Sequence, residues 1–194
     1  MYLSTAMAVT IDTRPATAAD ASFLLTCIND AFKADAFFKT KEHFNRVSMA
    51  DVLAMLAAPR STYLVAEISA DGRKSDLCGC IYVQWTVHQD ATVVGNFSSV
   101  SVRNEFERRG VGGRLVQAAE LLVASQATSQ QPSRMDISVV SARPDLFAFY
   151  ERKGYRVTGN VIDSPEFAAI LNDTHRHVHL VEMQKMLSPP PPGV

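Results

Sequence analysis

The sequence predicts an α/β protein of the mixed α+β kind, a central sheet of six to seven strands flanked by about four helices. Three observations carry this. Apolar residues recur at three- and four-residue steps in four segments, the mark of amphipathic helices. Seven other runs are rich in β-branched and aromatic residues or alternate apolar with polar, the mark of strands. Finally, 194 residues, 47% of them hydrophobic, suffice for one core but scarcely for two. The expectation is a single domain over 1–187, followed by a proline-rich, disordered tail over 188–194.

Ile11 to Pro15 reads as a first strand. Thr17-Ala18-Ala19-Asp20 has the spacing of a capping box, so a helix starts there, and Phe23, Leu24, Cys27, Ile28, Ala31 and Phe32 give it one apolar stripe. Residues 34–44 show no period. Ser48-Met49-Ala50-Asp51 repeats the cap spacing, Val52, Met55 and Leu56 supply a buried face, and Pro59 ends the helix. Tyr63 to Ile68 and Cys80 to Val87 form a hairpin across the polar Ser69 to Asp76. Thr92 to Val102 is a long strand in which Gly95 signals a bulge or bend. From Gly110 a helix runs to about Ala124, its inner face made by Val111, Leu115, Ala118, Ala119 and Leu122. After a polar loop from Gln126 to Ser133, Met135, Ile137 and Val139 alternate with polar residues in a strand. Pro144 suits the first turn of a short helix that Gly154 closes as a left-handed cap. A strand near Tyr155 to Thr158, an irregular stretch from Asn160 to Arg176 and a last strand from about His177 to Met186 complete the chain.

Nineteen basic residues against twenty acidic ones leave a net charge of -1, so bulk charge gives no reason to expect nucleic acid or a membrane surface as partner. Residues 1–10 lack a basic leader, and no run is long enough to span a bilayer. The expectation is a soluble, cytoplasmic protein, monomer or homodimer. Cys27, Cys78 and Cys80 are odd in number and lack CxxC spacing, which reads as reduced core thiols rather than a disulfide framework or a zinc site. Cys78 and Cys80 are expected to share one face of their strand.

The segment that carries chemistry is Val100-Ser101-Val102-Arg103-Asn104-Glu105-Phe106-Glu107-Arg108-Arg109-Gly110-Val111-Gly112-Gly113-Arg114. A strand passes through a short loop into a helix N-terminus, where unpaired N–H groups and the positive end of the macrodipole gather. Glycines at 110, 112 and 113 admit a phosphate to the backbone, and Arg108, Arg109 and Arg114 add positive charge, so a diphosphate is the expected guest. A Walker loop and a dinucleotide fingerprint are both absent. The competing reading is a helix with an ordinary glycine-bearing start.

These residues resemble the cofactor motif of the Gcn5-related N-acetyltransferase (GNAT) superfamily, (Gln/Arg)-x-x-Gly-x-(Gly/Ala), which falls on Glu107 to Gly112 with Glu in the leading place. The order of elements from Ile11 to Leu187 matches too. The resemblance implies a GNAT fold with a mixed, mostly antiparallel sheet, acetyl-CoA as cofactor, and backbone groups of Val100, Ser101 and Val102 along the pantetheine arm. A bulge around Gly95 to Ser99 would free such groups. Leu146 to Tyr155 is similar to the family's second signature and puts Tyr150 in the place of the general acid: when an amine attacks the thioester, a phenol within reach can protonate the departing thiolate. With a phenol pKa of about 10 and a thiol of about 8.5, complete transfer is uphill and hydrogen bonding matters as much. The competing reading is a tyrosine that only packs.

Arg143 stands seven residues before Tyr150, where the family often has Asn, and a cationic arm there can reach a phosphate. Ser138 replaces the glutamate base of some protein-acetylating members, leaving the base to water, to His88 or Asp90, or to His175, His177 or His179. By alternation the last three would share a face, but no metal site is expected. The acceptor is expected between the first two helices, the long strand and the late loop, walled by Phe37, Phe38, Trp85, Phe97 and Glu166. The expected function is transfer of an acetyl group to a primary amine of a small molecule. Protein lysine or N-terminal acetylation, and a non-catalytic acyl-CoA-binding module, are the alternatives.

Overall fold

The computed structural model describes residues 9–33, 46–70, 75–128 and 131–188. Its strands are β1 (Val9–Pro15), β2 (Ser61–Ala70), β3 (Asp76–Val87), β4 (Val93–Val102), β5 (Ser133–Val140), β6 (Arg156–Ile162) and β7 (Leu180–Leu187). Its helices are α1 (Ala21–Phe32), α2 (Met49–Ala57), α3 (Val111–Ser125), α4 (Pro144–Arg152) and α5 (Pro165–Ile170). Both expected capping boxes form: Thr17 N–H donates to Asp20 Oδ2 at 2.8 Å, and Ser48 N–H to Asp51 Oδ2 at 2.8 Å. The irregular stretch expected from Asn160 to Arg176 instead holds the end of β6 and the helix α5, started by Ser164 and Pro165. His177 and His179 precede β7 rather than belong to it, because a 3-10 turn at Asp173–His175 occupies the chain just before.

One seven-stranded sheet runs in the order β1-β2-β3-β4-β5-β7-β6. All neighbours are antiparallel except β4 and β5, which are parallel. Period-two alternation sorts the strand residues between two cores. Leu64, Ala66, Ile81 and Val83 join Val111, Leu115, Ala119 and Val123 of α3 on one face. Tyr63, Val65, Cys80 and Tyr82 join Leu24, Ile28 and Val52 of α1 and α2 on the other.

Cys78 and Cys80 do not share a face. Ala66 pairs with Gly79 and Glu67 with Leu77, so Cys78 is an extra residue in β3. That bulge turns Cys78 toward α3 and leaves Cys80 toward α1, beside Cys27. All three thiols are buried and none is bridged. Burial pushes the Cys78 thiol up to about 11.

Two irregularities shape the centre. β4 and β5 pair only from Val93 to Gly95 against Ser133 to Met135, and beyond that point the facing edges are unpaired. On its other side, β4 carries a bulge in which Ser99 and Val100 together face Ile81, with Ser99 in the left-handed region at φ 53°. The bulge falls at the far end of the expected window. Gly95 itself pairs regularly with Trp85 and serves a different purpose: a Cβ there would lie 2.5 Å from Val123 of α3.

Candidate active site

Where β4 and β5 part, a cavity of about 1880 Å³ opens, larger than ordinary small-ligand pockets of roughly 300–1,000 Å³. It is walled by Asn96 to Val100 and Val102 of β4, by Ser138 to Val140 of β5, and by the α3 N-terminus. α1, α4 and α5 close the remaining sides.

At one end lies the glycine-rich turn. Gly110 caps α3 at φ 86°, and Arg108 is also left-handed at φ 57°. Helix geometry leaves the first-turn N–H groups of Val111, Gly112 and Gly113 without acceptors, and no side chain caps them. The space in front is open: a Cβ at Gly110 would meet nothing within 4 Å, and one at Gly112 only Val102 at 3.9 Å. The Lys153 ammonium stands 3.2 Å from the place of a Gly113 Cβ. A cation against the positive end of a helix dipole is disfavoured unless an anion joins them, so these residues fit a diphosphate. Lys153 was not among the expected residues. Its signal in the sequence is the i,i+4 step from Phe149, whose ring lies 5.5 Å beneath it.

Not every expected residue reaches the cavity. Gly110, Val111, Gly112, Gly113, Arg108, Arg143 and Tyr150 line it. Arg109 instead stacks on Phe106, its guanidinium carbon 5.6 Å from the ring, while Arg103 approaches the same ring at 5.5 Å. Arg114 is exposed on α3 and lies outside the lining. Ser101 faces away: its carbonyl lies against Gly79, and Arg103 N–H donates to Cys78 O at 2.9 Å, so these residues point toward β3. By alternation, Val100 and Val102 direct their backbone groups into the open side. Trp85 packs on the α3-side core with Ile81 and Val83, the same parity on β3, and misses the cavity. Phe97 lines the cavity while belonging to that core. Phe37 and Phe38 lie outside the described residues, as do positions 189–194 of the tail.

Tyr150 sits on the buried face of α4, enclosed by Phe97, Phe149 and Tyr155 at ring separations of 5.7, 5.1 and 5.7 Å. It is only 7% exposed, yet it lines the cavity, and its hydroxyl has no hydrogen-bond partner among the described residues. Burial pushes the phenol up to about 12, with nearby Arg143 pulling the other way. Arg143 caps α4 and forks onto Asp145, donating at 2.9 and 2.8 Å.

None of the five base candidates lines the cavity. His88 and Asp90 lie in the β3–β4 turn, where Asp90 accepts from Thr92 N–H at 3.0 Å. His175 bonds Asn172 at 2.6 Å, and His179 bonds the His177 carbonyl at 3.1 Å. Among the described residues no group of His, Cys, Asp and Glu is placed to hold a metal ion, and no helix is long and apolar enough to cross a membrane. Glu166, in the first turn of α5, does line the cavity.

The sequence matches the family model described as Acetyltransferase (GNAT) domain over residues 59–157, and the chain belongs to that family. It is accordingly an acetyl-CoA-dependent N-acetyltransferase, with acetyl-CoA as its cofactor. Among curated proteins none matches the chain. Similar solved structures include a Gcn5-related N-acetyltransferase from Kribbella flavida, 21% identical, with a TM-score of 0.64 over 91% of this chain and 98% of that one. A GNAT-family acetyltransferase from Streptococcus pneumoniae is 13% identical, with a TM-score of 0.61 over 92% and 100%. The spermidine N-acetyltransferase of Vibrio cholerae, solved with CoA and spermine, is 12% identical, with a TM-score of 0.64 over 91% and 95%. At these identities the likeness establishes the fold.

Proposed function

We propose that the protein acetylates a primary amine on a small molecule by direct attack, with Tyr150 as the proton-donating group. The observation that carries this is a buried phenol whose unpartnered hydroxyl lines the cavity opened by the β4–β5 split. Bound acetyl-CoA supplies the activated acetyl thioester. The N–H groups of Val111 to Gly113, with Arg108 and Lys153, hold phosphate at the α3 end. Val100 and Val102 offer the free backbone edge to the pantetheine arm and the thioester carbonyl.

Tyr150 keeps its proton well past neutral pH, so it is always poised to donate. Because its pKa exceeds that of a thiol, about 8.5, the contribution is a hydrogen bond to developing negative charge more than a completed transfer. Asp30, also in the cavity lining, is engaged with Lys33 Nζ at 2.5 Å. Glu166 lines the cavity and has no cationic partner among the described residues, which supports it as the group that receives the amine, either taking its proton or passing it to water. No covalent enzyme intermediate is needed.

The domain proposed for 1–187 rests on a single sheet that draws strands from Val9 to Leu187. A cytoplasmic location is proposed with it, since three unbridged thiols suit a reducing compartment. The deciding experiment is a thiol-release assay with acetyl-CoA across small amines and peptides. Turnover of small amines supports the reading, turnover of peptides alone replaces it with protein acetylation, and CoA binding without any thiol release reduces the protein to a binding module.

A further inference from the structure

We propose that the acceptor is an amine that carries its own carboxylate, held at Arg46. This inference rests on the acetyltransferase reading above and concerns only the acceptor end of the same site. Arg46 lines the main cavity and also a smaller adjoining one of about 330 Å³, shared with Asp51, Met55, Ser98 and Ser99. Ser98 and Ser99 line both cavities as well, so the guanidinium and the β4 bulge face the same space.

Three features make Arg46 a receptor for an anion. Its guanidinium carbon lies over the Phe32 ring, 5.1 Å from the centre, a cation–π contact rather than a salt bridge. No carboxylate among the described residues pairs with it: Asp30 is held by Lys33, while Asp51 accepts from Ser48 N–H and Oγ at 2.8 and 2.7 Å as part of the α2 cap. Partial desolvation of the guanidinium lowers its pKa although the residue as a whole stays exposed, so an anion arriving from solvent can reach the group and offset that cost.

The in-plane fork of a guanidinium matches a carboxylate in two parallel hydrogen bonds. Glu166, on the same cavity, presents the opposite sign. An acceptor with ammonium and carboxylate in one molecule satisfies both groups. A polyamine would satisfy Glu166 and be repelled by Arg46.

The test is a panel of paired acceptors that differ by one carboxylate: lysine with 1,5-diaminopentane, phenylalanine with 2-phenylethylamine, glutamate with 4-aminobutyrate as a displaced-carboxylate control. For at least one pair the carboxylated member should show kcat/KM higher by about tenfold or more. In Arg46→Gln that preference should vanish, chiefly through KM, and Arg46→Lys should recover part of it. Calorimetric titration of the favoured amino acid into the CoA-loaded protein should show the same loss of affinity in Arg46→Gln. Thermal melting confirms that the variant is folded. If decarboxylated amines are turned over equally well or better, the acceptor proposal fails while the acetyltransferase reading stands. Equal loss on both members of every pair in Arg46→Gln overturns it too. With no amine of either kind consumed, both readings fail together.

Discussion

Tyr150, the proposed proton donor, shows how burial keeps a phenol protonated. Three aromatic rings exclude water from its body and leave the hydroxyl on the cavity. Replacing it with phenylalanine removes the donor without emptying the site, so thiol release should slow by about 10²-fold while calorimetric CoA affinity is kept. An unchanged rate would remove Tyr150 from the chemistry. The same burial has a pH signature. The phenol's pKa rises from 10.0 to about 12 on folding, so its stabilising effect is complete below the lower value and is lost as pH climbs through the upper one. Melting curves between pH of about 9 and 12 should therefore show wild type losing more stability than Tyr150→Phe. At this scale the sequence was only partly informative. Tyr150 and the three glycines could be placed from motif spacing, whereas Arg109, Arg114, Ser101 and Trp85 could not, because side-chain direction follows from helix phase, strand parity and neighbouring rings.

The first turn of α3 is the element on which the proposed phosphate cradle depends. Its N–H groups face open space because Gly110 turns the chain through a left-handed residue and Gly112 carries no side chain. A Cβ at position 112 would meet only Val102 at 3.9 Å, so the fold should accept a side chain there while phosphate should not. We expect Gly112→Val to raise the CoA dissociation constant by about tenfold or more, with a melting temperature within a few degrees of wild type. Equal affinity in calorimetry would refute the cradle. Elements were the most legible level of this chain. Both capping boxes, the Pro144 start and the Gly154 cap are local chemistry and appear where spacing puts them. The helix α5 was missed because six residues give too short a pattern to stand out from a loop.

At the scale of the whole molecule, the site exists because a sheet comes apart along one seam. Gly95 is the last residue of β4 paired to β5, and α3 crosses directly above it. A Cβ there would meet Val123 at 2.5 and 2.7 Å and Met135 Sδ at 2.6 Å, both from packed elements. Gly95→Ala should therefore cost about 1–3 kcal/mol in urea denaturation through overpacking. A loss within about 0.5 kcal/mol, the scale of a neutral surface change, would show that α3 can move aside. The sequence by itself determined most of the elements and their order, including the glycines at the start of α3 and the helix that carries Tyr150, because each follows from bonds and contacts between near neighbours; the acid role proposed for Tyr150 comes from the family resemblance. The tertiary structure decided where β4 and β5 separate, which face Cys78 takes, that Lys153 meets the α3 N-terminus, and that Arg46 and Glu166 share a cavity. Those outcomes depend on strand register and on residues far apart in the chain, and pairing across a sheet is a free-energy choice among whole arrangements rather than a property of any local segment.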